Sequence, residues 1–414
     1  MKKHLSLILR LLVALAGVGY IIYVVDWTDK LEVPPGDYVL VQGQSVRIDK
    51  TSAFRLTSGD YDPADPTGTF EFVVTDENDQ PLGRMTLDAS QLPASPEPGT
   101  DFRLRPGLLT TLKHARMSLL VLGLILVGPV YLIAALRWWM LLRARGLEVT
   151  YGNAFRLSMV GCFFNYCMPG STGGDLVKAF YAAKGTSRRP DAVMTVIIDR
   201  VVGLLGLIII AGIAGLFVSD PRVQPVMILI WGMAAAAIIG SAFYFSRHVR
   251  KVTGLDWLLT KMLKPGSFLA KIETAASAYA NHKGVVTLSI ALSLVVHLLI
   301  ALAGTAAGYA LDIQTPIGLM LAVIPVLILV ASLPISYQGF GFMEVLAIRL
   351  LATPGMANAN QIVVMLLLIR LYQVSYSLIG SVYLLRGDIH MHPQQDEEQG
   401  EAEQAAGEPA SPRH

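Results

Sequence analysis

Six apolar runs, near 5–25, 117–138, 192–218, 225–245, 285–311 and 360–385, constrain this chain more than anything else in it. About 20 apolar residues in a helix cover the roughly 30 Å of hydrocarbon in a bilayer. Inside lipid, a helix satisfies every backbone N–H and C=O within its own segment. Runs of this length are therefore read as about six full transmembrane helices. Composition agrees, with 53% hydrophobic and 15% charged residues, against about 25% charged in soluble domains. The expected class is an all-α polytopic membrane protein. Cys162 and Cys167 both lie in apolar sequence, which excludes a disulfide scaffold and a cysteine zinc module. No basic stripe on a soluble domain, metal-ligand cluster or cofactor fingerprint occurs, so no nucleic acid, metal or cofactor is expected.

The first run follows Met1-Lys2-Lys3, and no small-x-small cleavage site precedes Asp26-Trp27. Residues 1–25 thus read as a retained anchor rather than a cleaved signal peptide. Short loops rich in Lys and Arg stay in the cytoplasm. Lys2 and Lys3, Arg137, Arg143 and Arg145, Lys184, Arg188 and Arg189, and Arg247, Arg250 and Lys251 form one set, while the opposite loops carry Arg222 and little else. Both termini are therefore expected inside the cytoplasmic membrane. Residues 26–110, the one long hydrophilic segment, are expected outside it. There, residues 38–48 alternate apolar and polar around Gly43, a hairpin signal, and 53–56, 69–74 and 84–87 continue the short-strand pattern. These features predict an acidic, β-sandwich-like insert of four to six strands with no catalytic cluster. Residues 111–386 follow as the membrane domain, and 387–414 as a disordered cytoplasmic tail. Leu255 to Leu263 is amphipathic and basic, suited to anionic lipids of the inner leaflet. Trp138-Trp139 reads as an interfacial anchor.

Two further apolar segments contain helix breakers. Phe164-Asn-Tyr-Cys-Met-Pro-Gly-Ser-Thr-Gly-Gly-Asp-Leu-Val-Lys178 lies between basic loops on the same side. A full span there would reverse their sidedness, so the segment is expected to enter, break at Pro169-Gly170-Ser171 and return. The second, Pro334-Ile-Ser-Tyr-Gln-Gly-Phe-Gly-Phe-Met-Glu344, breaks similarly: Pro169, Ser171, Gly173, Gly174 and Asp175 match Pro334, Ser336, Gly339, Gly341 and Glu344. Each carboxylate is followed by a cation, Lys178 and Arg349. Parity opens the first hairpin inward and the second outward, the inverted pseudo-repeat found in secondary transporters. Two full spans over 316–352 satisfy parity equally well.

A helix restarting after a Gly-rich turn presents free N–H groups and a partial positive charge, which suits a phosphate. Asp175 and Glu344 then either cap the restarted helices or couple and select a substrate. Charges at this depth cost at least about 2.5 kcal/mol each and mark partners or function. That applies to Asp199, Arg200 and Arg370, with Asn165 among the polar groups. Arg370 needs a carboxylate or a cavity, with Asp199, Asp175 and Glu344 as candidates. Asp199 and Arg200, adjacent in sequence, need separate partners. His297 reads as a satisfied core residue. No nucleophile–base signature is present, so no catalytic residue is expected.

Together with Arg137-Trp-Trp-Met-Leu-Leu142 and Asp199-Arg200, these two motifs resemble the lysylphosphatidylglycerol synthase transmembrane family, a flippase-like membrane domain, over about 117–386. The resemblance implies movement of a lipid across the bilayer, as in the flippase half of the multiple-peptide-resistance factors. By resemblance, Asn165, Pro169, Gly170, Gly173, Gly174 and Asp175, with Gly339, Gly341 and Glu344, form the site. Ser171, Lys178, Asp199, Arg200, Pro334, Ser336 and Arg370 complete it by position and charge. About 28 residues follow Arg386, so an aminoacyl-transferase domain is not expected there. The expected partner is a membrane lipid, an anionic or zwitterionic phospholipid or a polyprenyl phosphate. The rival expectations are a membrane transferase and an anchor for the β-rich insert.

Overall fold

The computed structural model describes residues 27–41, 43–50, 52–58, 69–75, 80–88, 90, 102–167, 173–184, 188–245, 279, 282–332, 339–353 and 355–386. The expected anchor at 1–25, the amphipathic stretch at 255–263, the tail, and Pro169, Gly170, Ser171, Pro334 and Ser336 lie outside them.

The hydrophilic segment forms β1 (Lys30–Val33), β2 (Gly36–Val39), β3 (Ser45–Ile48), β4 (Ser52–Ser58), β5 (Thr69–Thr75), β6 (Pro81–Asp88) and β7 (Arg103–Arg105). Five of these make an antiparallel sheet ordered β6-β5-β4-β1-β7, and β2 pairs with β3. The expected hairpin is β2–β3, with Gly43 at φ +80 near its tip. Alternation places Phe70, Phe72 and Val74 of β5 on one buried face. Leu31, Val33, Phe54, Met85 and Leu87 join them, and Leu40 and Ile48 pack in from the hairpin. Each large side chain buried this way stabilises by about 1.5–3 kcal/mol. The described strands number seven rather than four to six. The additions, β1 and β7, are three or four residues long, too short to show a period of two.

Ten helices follow. α1 (Leu108–Lys113) precedes four that are long and apolar enough to cross a membrane. These are α2 (Met117–Ala144), α5 (Arg189–Gly215), α7 (Lys283–Ala310) and α10 (Ala359–Leu385). α6 (Gln224–Phe245) is a further apolar helix. The chain is thus a multi-pass helical membrane protein with a small β region. α3 (Tyr151–Cys167), α4 (Gly173–Lys184), α8 (Ile317–Ser332) and α9 (Phe342–Leu351) have 17, 12, 16 and 10 residues. At 1.5 Å per residue they reach only about 15–26 Å.

Contacts between helix ends sort them onto two sides. On one side, Arg116 N–H donates to Ala310 O, Gln314 N–H to Met356 O, and Gln361 Nε2 to Leu311 O. Arg222, between α5 and α6, donates to Ala352 O and Thr353 Oγ1. The β region joins this side: Asp29 accepts from Gly107 N–H at 2.6 Å and Thr110 Oγ1 at 3.0 Å, and Asn360 Nδ2 donates to Pro106 O. On the other side, Arg188 donates to Arg145 O, Asp191 pairs with Arg145 and Arg188, and Tyr279 OH donates to Leu141 O. The apolar core lies among α5, α7, α8, α9 and α10, where small residues such as Ala301, Ala303 and Ala307 let helices approach closely.

Candidate functional site

α4 lies against α3 at a point that only glycine allows. A Cβ on Gly174 would run into Gly161 O and Asn165 Cγ, so this crossing depends on two glycines. Asn165 Oδ1 accepts the Gly174 N–H at 2.9 Å. One residue further, Asp175 sits in the first turn of α4 and pairs with Arg200 of α5. Lys178, one turn along α4, points elsewhere: its Nζ donates to Asp199 Oδ2 at 3.2 Å.

α9 begins after Gly339 and Gly341, at φ +73 and +83, a region that side chains with a Cβ rarely occupy. Glu344 in its first turn accepts from Gly341 N–H at 2.7 Å and from Arg370 Nη1 of α10 at 2.5 Å. The Arg370 guanidinium also lies 3.6 Å from the centre of the Phe340 ring and within 3.5 Å of Met343 Sδ. Among the three carboxylates the sequence offers Arg370, the geometry selects Glu344. Capping and ion pairing coexist in that one side chain, which is 1% exposed.

The carboxylate–arginine pairs beside the two breaks are spaced alike along the chain. Asp175 and Arg200 are 25 residues apart and Glu344 and Arg370 are 26. Each arginine lies eleven residues after the first residue of a 27-residue helix, Arg189 or Ala359. The cations that correspond are therefore Arg200 and Arg370, not Lys178 and Arg349. The expected free amides at the restarts are also partly used: Asn165 satisfies Gly174 and Glu344 satisfies Gly341.

Asp199 and Arg200 do have separate partners, as their adjacency on a helix requires. Asp199 accepts from Arg137 Nε at 2.8 Å as well as from Lys178, and Arg137 Nη1 donates to Ser293 Oγ. Lys178 Nζ stands 3.9 Å from the centre of the Trp138 ring. Trp138 is fully buried and donates to Thr195 Oγ1, which corrects its reading as an interfacial anchor: its ring covers a buried cation. Trp139 bonds Val149 O. His297 is buried, with Nε2 at 3.0 Å from Gly203 O.

A cavity of about 290 Å³ lies among α2, α3, α5, α8 and α10, lined by Arg200, Arg370, Asn165, Tyr166, Ser332 and Gln373 among others. A second, of about 180 Å³, shares Tyr131, Cys162 and Asn165 with it and is lined by Asp175 and Lys178. Tyr131, Tyr166 and Gln373 line these cavities and Arg137 pairs with Asp199, placements the sequence reading did not give them. Tyr166 OH donates to Gln373 Oε1 at 2.7 Å. A signal existed for Arg137 alone, a cation inside an apolar run. Among the described residues, no group of three or more His, Cys, Asp or Glu is placed to hold a metal.

Long apolar helices around a cavity lined by Arg200 and Arg370 describe a helical membrane domain with buried charge at its centre. The family model described as the lysylphosphatidylglycerol synthase TM region matches residues 106–380, and the chain belongs to that family. The match starts where β7 ends, leaving the β region outside it. No curated protein matches the chain. The family places the protein among membrane domains of the lipid-modification and flippase kind, with a membrane lipid as its partner.

Proposed function

We propose that the protein is a translocase that moves a phosphate-bearing lipid across the cytoplasmic membrane. The substrate is a phospholipid or a polyprenyl phosphate. Its headgroup passes through the cavity between α3–α4 and α8–α9. In this reading the two helix pairs are broken hairpins entering from opposite sides, and about six full helices surround them. Residues 111–386 form the translocating domain, both termini are cytoplasmic, and residues 26–110 face outward.

One observation carries the reading: each break supplies a first-turn carboxylate to an arginine on the next long helix, and both arginines line one cavity. Guanidinium forks suit phosphate oxygens. Exchanging a carboxylate for a headgroup phosphate at Arg200 or Arg370 gives the headgroup a polar step at mid-depth. Two such steps, opening to opposite sides, suffice for alternating exposure. The helix-end contacts support the sidedness, since α3 and α4 border the Arg145–Arg188 side and α8 and α9 the Met356 side.

The test is scrambling of fluorescent lipids in proteoliposomes containing equal amounts of folded wild type, Asp175→Asn and Glu344→Gln protein. Transport by wild type and its loss in both variants is the expected result. A wild type that moves no lipid in a panel including polyprenyl phosphates refutes the reading.

A further inference from the structure

The charges gathered at the site do not balance. Among the described residues of the interior, Arg137, Lys178, Arg200 and Arg370 form ion pairs with Asp175, Asp199 and Glu344. The sequence of the breaks, Met-Pro-Gly-Ser-Thr at 168–172 and Leu-Pro-Ile-Ser-Tyr-Gln at 333–338, contains no charged residue. Among the described residues, four cations stand against three carboxylates, one positive charge in excess, in a medium where an unmatched charge is costly.

Geometry identifies which cation that is. Arg200 has Asp175 and Arg370 has Glu344, one carboxylate each. Arg137 and Lys178 share Asp199, and Arg137 has the closer oxygen and Ser293 as well. Lys178 is left with one oxygen at 3.2 Å and the face of Trp138. It lines the cavity of about 180 Å³ together with Asp175, whose carboxylate is paired with Arg200, and Ser158, whose buried hydroxyl has no hydrogen-bond partner. An ammonium with donor capacity to spare and an unused hydroxyl therefore border one cavity. A phosphate oxygen can accept from both, whereas an ammonium headgroup can accept from neither and sets a second cation beside Lys178.

We infer that the cavity beside Lys178 is an anion seat, and that it makes the site select lipids whose headgroup carries net negative charge over zwitterionic or cationic ones. The inference rests on the translocase reading and narrows its substrate to an anionic phosphate lipid. Lys178 is the residue that sets the preference. Lysyl-phosphatidylglycerol, whose two ammonium groups outweigh its phosphate, is then a poor substrate for this chain.

The experiment compares phosphatidylglycerol, phosphatidylethanolamine and a polyprenyl phosphate in proteoliposomes. Each carries its label on the hydrocarbon, so that headgroup charge is unaltered. Lys178→Met is an informative variant because Asp199 keeps Arg137 and the fold loses no required partner. Wild type is expected to move an anionic lipid at least about tenfold faster than phosphatidylethanolamine, equivalent to about 1.4 kcal/mol. Lys178→Met is expected to bring that ratio near one, and Lys178→Arg to preserve it. Which anionic lipid moves separates the phosphodiester from the polyprenyl source. Equal rates for anionic and zwitterionic lipids in wild type, or an unchanged ratio in Lys178→Met, overturn the inference.

If wild type moves nothing, the translocase reading fails, and binding decides the seat by itself. Tryptophan fluorescence of detergent-solubilised protein, titrated with short-chain phosphatidylglycerol and phosphatidylethanolamine, reports on Trp138 above Lys178. Tenfold tighter binding of the anionic lipid, lost in Lys178→Met, upholds the seat without transport. Equal binding of the two lipids overturns it.

Discussion

Replacing Glu344 by Gln isolates one charge in the interior with little change of shape. Gln has the same length, and its carbonyl oxygen can still accept the Gly341 N–H that Glu344 holds at 2.7 Å. What is lost is the counter-charge of Arg370, 2.5 Å away on a residue that is 9% exposed. Removing one partner of a buried pair costs about 3–5 kcal/mol, whereas removing both is often nearly neutral. At roughly 2 °C per kcal/mol for a domain of this size, Glu344→Gln lowers the unfolding midpoint by roughly 6–10 °C. Arg370→Met, which leaves the carboxylate unpaired, falls in the same range. The double variant recovers most of the loss, giving a coupling of about 2 kcal/mol or more. The assay is thermal unfolding in mild detergent, followed by tryptophan fluorescence at one fixed scan rate, because multi-pass proteins seldom unfold reversibly. A drop below about 2 °C for Glu344→Gln, or singles that simply add in the double, refutes the pair as a buried, mutually required contact.

Gly174→Ala places a methyl against Gly161 O and Asn165; forced overpacking of this kind costs about 1–3 kcal/mol, and a lower unfolding midpoint with weaker protection of α4 from hydrogen exchange is the expected result. Asp29→Ala removes the acceptor for Gly107 N–H and Thr110 Oγ1, a capping loss of about 0.5–2 kcal/mol, seen as faster proteolysis between β7 and α1. Outside the membrane spans, the hydrogen bond from Arg222 holds the Asp220 carboxyl below its ordinary value. A depressed carboxylate contributes stability above that ordinary value and loses it as pH falls through the folded-state value. The difference in midpoint between wild type and Asp220→Asn is therefore present near neutral pH and shrinks as the solution is acidified below about pH 4. A difference that grows on acidification contradicts the assignment.

The membrane class, the four long helices and the β region were written in the sequence because their causes are local. Apolar runs of about 20 residues have one stable answer in lipid, and strict alternation marks β5 without reference to any neighbour. The starts of α4 and α9 beside Gly173 and Gly341 were likewise legible, since glycine interrupts a helix wherever it packs. The partners of the charges were not. Lys178, three residues from Asp175, is the obvious mate by sequence, yet it pairs with Asp199, while Asp175 takes Arg200 25 residues away. Trp138 looked like a lipid-facing anchor and is a buried lid on Lys178. A charge in low dielectric must take whichever partner the neighbouring helix brings within hydrogen-bond reach, and chain separation has no bearing on that distance. Sequence thus determined that charges were buried and where α4 and α9 start. Only the packing of α3, α4, α5, α9 and α10 decided which charges meet.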